Sequence, residues 1–301
     1  MKLGWIGAGK MGLPMLASVL AAGHAVSVVE PQAAARESAR KLGAVPVPHP
    51  AAAAAGAQAV VTSLPDDAAL LAVAAQVIES APAGMIYVDT STVSPQASAT
   101  VARAAQAAGV QYLRAPVSGT PVQAQARALT TIVSGPADAL EAARPLLAQW
   151  GERIHYVGTA EQARSMKLVL NLMVAATAAM MGEALALGSK GGIAWEDMLD
   201  VMQSSALASP LLKVKAASLR ERDFRPLFSC EQMAKDLRLI LAAGSDASVP
   251  LPLAALASQL NTATIAQGRG ELDYIASVLT AEAIAGTGPV PRGAPCGQST
   301  P

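Results

Sequence analysis

The hydrophobic pattern divides the chain into two regimes. Up to Gly158, short apolar runs alternate with amphipathic stretches. Lys2–Ile6, Ala25–Val29, 58–63, 85–89, Gln111–Arg114, 129–134 and 153–157 read as strands, with a Pro-broken short strand at Val45 and Val47. Segments 13–22, 32–42, 50–56, 95–108 and 137–150 read as helices, as does one that Asp66 or Asp67 caps and that runs through Ile78. Alternation of this kind predicts a mostly parallel, doubly wound sheet, with ligands bound beyond the carboxyl ends of its strands. After Gly158 no strand pattern returns. Long Ala/Leu segments follow at 163–190, Trp195–Ser204, 210–219, 230–244, 251–267 and 273–283.

The expected fold class is therefore α/β, with a Rossmann-type sheet domain over residues 1–160 and an all-helical domain over 161–286. A Pro/Gly-rich tail, 287–301, is expected to be disordered. The segment 163–190 would make a helix about 42 Å long. Near its start stand Lys167 and Asn171, four residues apart and so on one face of an otherwise apolar turn. Two readings of the pair stand side by side. One is a snorkelling lysine with a satisfied core amide; the other is a catalytic acid/base beside a substrate-orienting amide. The run from Leu168 to Leu187 is close to the roughly 20 residues a membrane span needs, but it contains Asn171 and Glu183, and a buried core helix is the favoured reading.

Composition narrows the field. Hydrophobic residues make up 52% of the 301 and aromatics 3%, so the core must be built from Ala, Leu, Val and Met. The net charge of zero gives a nucleic acid or an anionic membrane nothing to hold. Cys230 and Cys296 are too far apart for a short-spaced zinc or disulfide motif, and His24, His49 and His155 form no ligand pair, so no metal is expected. The first residues enter a strand pattern without a secretory signal, which makes the cytoplasm the default expectation.

The first turn carries the clearest chemistry. After the strand Lys2–Ile6 comes Gly7-Ala8-Gly9-Lys10-Met11-Gly12, then a helix, a second strand, and Glu30 at its end. That is Gly-x-Gly-x-x-Gly in the setting a dinucleotide requires. Gly7 permits the tight turn, Gly9 lets a pyrophosphate approach, and Gly12 lets helix and strand pack closely. The helix N-terminus offers free N–H groups to phosphate. A carboxylate at Glu30 accepts from the ribose hydroxyls and repels a 2′-phosphate, so NAD is expected over NADP; Arg36 and Arg40 nearby keep NADP in play.

Five segments together resemble the β-hydroxyacid dehydrogenase family: the cradle Gly7–Met15, the turn VDTSTVSP ending at Pro95, the turn Ala115-Pro116-Val117-Ser118-Gly119, Lys167-x-x-x-Asn171, and Lys235-Asp236-Leu237 preceded by Phe228. The resemblance implies an oxidoreductase that interconverts a small β-hydroxy acid and its semialdehyde or keto partner. It makes Lys167 the general acid/base, with burial and a nearby Lys235 lowering its pKa toward neutrality. Asn171 would orient the substrate and Ser118, Gly119 and Thr120 would face it. Gly7, Gly9, Lys10, Met11, Gly12, Glu30, Leu64, Pro65 and Thr92 would hold the cofactor, and Lys235 would lie over the junction of cofactor and substrate. The helical half would also build a homodimer or homotetramer.

The chain departs from the family pattern at several points. Arg114 stands where Asp is usual, Thr120-Pro121 follow Gly119 where a second Gly is usual, and Arg127-Ala128 replace a Gly. The normally glycine-rich approach to the lysine reads Thr159-Ala160-Glu161-Gln162-Ala163, and Leu172 replaces a second Asn. Arg114 is left with two readings, a solvent-facing substitution or a new carboxylate partner, and Thr120 either shrinks the pocket or adds a hydroxyl to it. Two rivals remain: an imine reductase of the same fold, which usually lacks this lysine, and a non-catalytic NAD-binding scaffold.

Overall fold

Val60 and Val61 are flanked on both sides by other strands and covered on both faces, which is why their segment is apolar without alternation. They belong to β4 (Ala59–Thr62), in a six-stranded parallel sheet of order β3-β2-β1-β4-β5-β6. The others are β1 (Lys2–Ile6), β2 (Ala25–Val29), β3 (Val45–Pro46), β5 (Ile86–Asp89) and β6 (Gln111–Arg114). The strand order reverses at β1, which opens a crevice beyond the carboxyl ends of β1 and β4. Helices α1 (Gly12–Ala21), α2 (Ala33–Lys41), α3 (Pro50–Ala54), α4 (Asp67–Ser80) and α5 (Pro95–Ala107) connect the strands. Of the two aspartates that could cap α4, Asp66 does so, accepting from the Ala69 N–H at 2.8 Å. Asp67 instead accepts from the Ser94 N–H at 2.8 Å, tying α4 to the start of α5.

The computed structural model describes residues 1–292 and separates into two units, Met1–Leu168 and the chain from Val169 on. In the first unit one expectation is corrected. The strands near 130 and 154 do not extend the large sheet. β7 (Val117–Ser118), β8 (Thr130–Val133) and β9 (Arg153–Tyr156) form a second sheet, with β7 antiparallel to β8 and β8 parallel to β9. The reason is local: only Ala115-Pro116 separates β6 from β7, far too little for the crossover of about a dozen residues that a parallel neighbour needs, so β8 and β9 build on β7 and meet β6 through the antiparallel bridge between Arg114 and Ser134. Two helices complete the unit, α6 (Pro121–Gln125) and α7 (Ala137–Leu147). Trp150, after α7, meets Trp5 of β1 edge to face, centroids 6.1 Å apart, two of the few aromatics in an aliphatic core.

α8 (Gln162–Lys190) begins in the first unit and continues into the second. It is followed by α9 (Trp195–Ser204), α10 (Pro210–Arg220), α11 (Cys230–Asp246), α12 (Pro252–Thr264) and α13 (Ser277–Ala285). A π turn at Ile265–Arg269 follows α12 and a 3₁₀ turn at Tyr274–Ala276 precedes α13, where the sequence pattern reads helix over 251–267 and 273–283. Gly182, the one glycine well inside α8, has a packing role: a Cβ there would lie 3.1 Å from the Ala281 Cβ of α13. α8 is the one described helix long and apolar enough to cross a membrane; its residues Ala175, Ala178 and Met181 are buried. Of the expected disordered tail, residues 287–292 are tied down. The Trp195 N–H donates to the Val290 carbonyl at 2.8 Å, and Arg292 pairs with Asp197 and Asp200. The remainder, 293–301 with Cys296, lies outside the described residues.

Candidate active site

The glycine turn is shaped by what a side chain would strike. Gly7 has φ +91°, and a Cβ there would sit 2.2 Å from the Ser63 carbonyl oxygen; at Gly12 it would sit 2.1 Å from the carbonyl of Gly7. At Gly9 a Cβ would meet no protein atom within 4 Å. Protein packing therefore explains Gly7 and Gly12, while the space at Gly9 is open, as close approach of a pyrophosphate demands. Trp5 Nε1 donates to the Gly7 carbonyl at 3.0 Å and braces the turn from below. Met11 precedes α1 and Lys10 is exposed beside it. Glu30 is buried, its two oxygens accepting from the N–H groups of Ala8 (2.7 Å) and Gln32 (2.8 Å). These residues fit a dinucleotide.

The turns after β4 and β5 are joined through one carboxylate. Asp89, wholly buried, accepts from the hydroxyls of Thr62 and Ser91, both at 2.6 Å. Ser91 Oγ in turn accepts from the Leu64 N–H at 2.8 Å. Leu64, Pro65 and Thr92, the expected cofactor contacts, thus stand on two turns fixed to each other. Arg164, in the first turn of α8, ion-pairs with Asp89, with side-chain exposures of 1% and 0%. Its Nη1 donates to the carbonyl of Ser91 (2.7 Å), its Nε to the Ser98 hydroxyl (3.1 Å), and its Nη2 to the Tyr112 hydroxyl (3.0 Å) as well as to Asp89. Burial pushes the Tyr112 phenol up to about 12, against the pull of Arg164, and raises Tyr87 as well, so both stay neutral. Lys167, half-buried, follows one turn after Arg164. Neither Asp89 nor Arg164 figured among the expected site residues. The signal for them was an Asp ending a fully apolar strand and an Arg opening an apolar helix, each of which needs a buried partner.

The turn expected to face substrate departs from the family pattern at residues for which the fold supplies partners. Arg114 is buried rather than solvent-facing, and its partner is Glu161, another departure from the family pattern. Its Nε donates to Glu161 Oε1 at 2.9 Å, and its guanidinium lies 5.0 Å from the Tyr112 ring centre. The Thr120 hydroxyl accepts from the Gln123 N–H at 3.3 Å and the Gln123 side chain accepts from the Thr120 N–H at 2.8 Å. Thr120-Pro121 are thus the cap and first residue of α6, a use that accounts for both. Gly119 has φ +143°, and Ser118 sits half-buried at the end of β7. Arg127 has φ +55°, the left-handed conformation that suits the usual glycine; its side chain donates to the Gln149 carbonyl (2.9 Å) and side-chain oxygen (3.0 Å).

In the second unit, Asn171 is buried and its Nδ2 donates to Asp236 Oδ2. Lys235 places its Nζ 2.8 Å from Asp236 Oδ1. Asp236 is therefore the common anchor of the two side chains expected to meet substrate, and the positive charge of Lys235 is countered at source. Ser229 caps α11 in a reciprocal box with Gln232. Cys230, beside it, is buried, its thiol pushed up to about 12 by burial and then by Asp273, which makes it unreactive. Asp273 accepts from Lys215 Nζ (2.6 Å) and from the Leu227 N–H (3.1 Å), fixing the loop that carries Phe228.

Residues 2–158 match the family model described as the NAD binding domain of 6-phosphogluconate dehydrogenase, and 162–280 the one described as NAD-binding of NADP-dependent 3-hydroxyisobutyrate dehydrogenase. The 2-(hydroxymethyl)glutarate dehydrogenase of Eubacterium barkeri is 32% identical over 289 residues, 95% of this chain and 96% of that one. The structure of Mycobacterium tuberculosis 3-hydroxyisobutyrate dehydrogenase with L-serine matches at TM-score 0.85 and 28% identity, over 92% of this chain and 98% of that one. An imine reductase from Pseudomonas sp. matches at TM-score 0.61 and 20% identity, over 93% and 98%, a likeness of fold alone.

Proposed function

The chain belongs to the β-hydroxyacid dehydrogenase family of nicotinamide-dependent oxidoreductases, and from that premise we propose that Lys167 is the acid/base of its reaction on a small β-hydroxy acid. The bound nicotinamide supplies the hydride acceptor, or the donor in the reverse direction. Lys167 takes the hydroxyl proton as the alcohol is oxidised and returns it to the oxygen on reduction. Asn171, held by Asp236, orients the substrate. The N–H groups of the Ser118-Gly119 turn, with Thr120 at its edge, hold the substrate carboxylate. Lys235 flanks the same substrate and the cofactor. Gly7, Gly9, Lys10, Met11 and Gly12 receive the pyrophosphate, and Leu64, Pro65 and Thr92 line the nicotinamide end. The observation that carries the reading is Lys167 itself: a half-buried lysine in an apolar helix, four residues before a buried amide fixed to a carboxylate.

The preferred cofactor is NAD. Glu30 is supported by two backbone N–H groups, and each carboxylate oxygen keeps a lone pair for a ribose hydroxyl. The protein also self-associates, as a dimer or tetramer, through the exposed Val169, Met173, Met180 and Leu187 of α8, the last three seven residues apart on one stripe. The deciding experiment is a panel of 3-hydroxyisobutyrate, 2-(hydroxymethyl)glutarate, L-serine and a cyclic imine, with either nicotinamide, read as reduced-nicotinamide absorbance. Turnover of the imine alone would favour an imine reductase, and cofactor binding without any turnover would favour a scaffold.

A further inference from the structure

We infer that Arg164 is a positioning residue of this reaction: it locks the first turn of α8 to the turn after β5, and so sets where the amine of Lys167 stands relative to Thr92 and Leu64. The inference rests on the reading of Lys167 as acid/base.

The guanidinium has five N–H donors in a rigid plane, and five acceptors surround it. They are the Ser98 hydroxyl at Nε, the carbonyls of Ser91 (2.7 Å) and Asp89 (3.4 Å) at Nη1, and the Asp89 carboxylate and Tyr112 hydroxyl at Nη2. The acceptors come from β5, its following turn, α5 and β6, so the side chain is held from several directions at once. Ser91 closes the link: its carbonyl receives Arg164, while its hydroxyl donates to Asp89 and accepts from the Leu64 N–H. One residue thus joins the turn expected to line the nicotinamide to the helix that carries the amine. Lys167 is three residues further on, a single helical step of about 4.5 Å along the axis. A displacement of about 1 Å at a reacting group can cost 10²-fold in rate.

Stability alone gives little reason for the pair. A buried ion pair replaced by well-packed apolar residues often leaves a protein equally stable. Placement is what five directed bonds provide, and a lysine, with a point charge and three donors, cannot reproduce them.

The test compares wild type, Lys167→Ala, Arg164→Lys, Arg164→Ala and the double variant Arg164→Lys/Lys167→Ala, using the hydroxy acid of the panel that turns over fastest. Arg164→Lys is expected to lower kcat roughly 10²-fold while KM and cofactor Kd stay within about twofold. Added guanidinium should restore part of the kcat of Arg164→Ala, and ethylammonium should not. In the Lys167→Ala background Arg164→Lys should cause no further loss. If the Arg164 variants do not fold, Ser98→Ala, which removes the Nε acceptor and a 3.4 Å hydrogen bond with the Tyr112 hydroxyl but leaves the other four acceptors of the guanidinium in place, is expected to lower kcat by a few-fold at unchanged KM. Wild-type kcat in Arg164→Lys, or in Ser98→Ala where that is the folded variant, overturns the inference, as does the same fractional loss with and without Lys167. Unchanged turnover in Lys167→Ala, by contrast, overturns the acid/base reading on which it rests.

Discussion

Arg114 and Glu161 form an ion pair inside the first unit, and each stands where the family pattern has a different residue. Separately, each looks like a defect in the family pattern. Paired, they are one substitution of the link between β6 and the approach to α8. Arg114→Ala should leave Glu161 partly buried without its cation, and Glu161→Gln should do the converse. The pair is not fully enclosed, so each single change is expected to lower stability by about 2 kcal/mol, below the 3–5 kcal/mol of a fully buried pair. The combined Arg114→Ala/Glu161→Gln, which removes both charges, should recover a large part of that loss. Thermal unfolding of the four proteins, read as a double-mutant cycle, checks this; strictly additive losses would show that the two sites act independently.

Lys167→Ala should reduce turnover by roughly 10²–10⁴-fold, the range for a lost general acid/base. Cofactor binding should survive, because the cradle is built by Gly7, Gly9, Gly12 and Glu30. Trp5, hydrogen-bonded to the Gly7 carbonyl, offers a fluorescence signal for that binding. A variant that keeps its kcat would remove Lys167 from the chemistry.

Glu30→Ala should relax the preference for NAD. Arg36 Nη1 donates to the carbonyls of Glu30 (2.8 Å) and Pro31 (3.1 Å), so a cation already stands at the end of β2. With the carboxylate gone, that cation is expected to favour a 2′-phosphate, and NADP-dependent kcat/KM should rise. Arg36→Ala in the same background should reverse the gain. A wild type that uses both cofactors equally would refute this role for Glu30.

The parts of this molecule that could be read from the chain are those governed by local rules. The six-stranded sheet follows from apolar runs in alternation with helices, and Gly7, Gly9 and Gly12 from the motif in its setting. The parts that were hidden are pairings across long sequence distance. Nothing near Asp89 in the chain points to Arg164, and nothing near Asn171 points to Asp236. Sequence patterns register each as a lone polar residue, and only the fold supplies the partner. Pro116 and the short connection after β6 decide that β7 turns away from the large sheet, a consequence of chain length that periodicity does not reveal.

The buried phenols set an alkaline limit on the fold. Tyr112 is raised from 10.0 to about 12, burial being the largest cause, and Tyr87 is raised in the same sense. In the unfolded chain each tyrosine ionises near 10; in the fold it holds its proton. Below pH 10 both states are protonated and this contribution to stability is constant. Between about pH 10 and 12 the unfolded state sheds protons that the native state retains, so unfolding becomes progressively more favourable. For Tyr112 alone the gap corresponds to roughly 3 kcal/mol by the top of that window. Tm should therefore hold steady through neutral pH, begin to fall above about 9 as the Cys230 thiol ionises in the unfolded chain, and fall steeply above 10. Tyr112→Phe should lower Tm at neutral pH, since the Arg164 bond at 3.0 Å is lost, yet flatten the alkaline decline. An alkaline decline of the same steepness in the phenylalanine variant would mean that other groups set the limit.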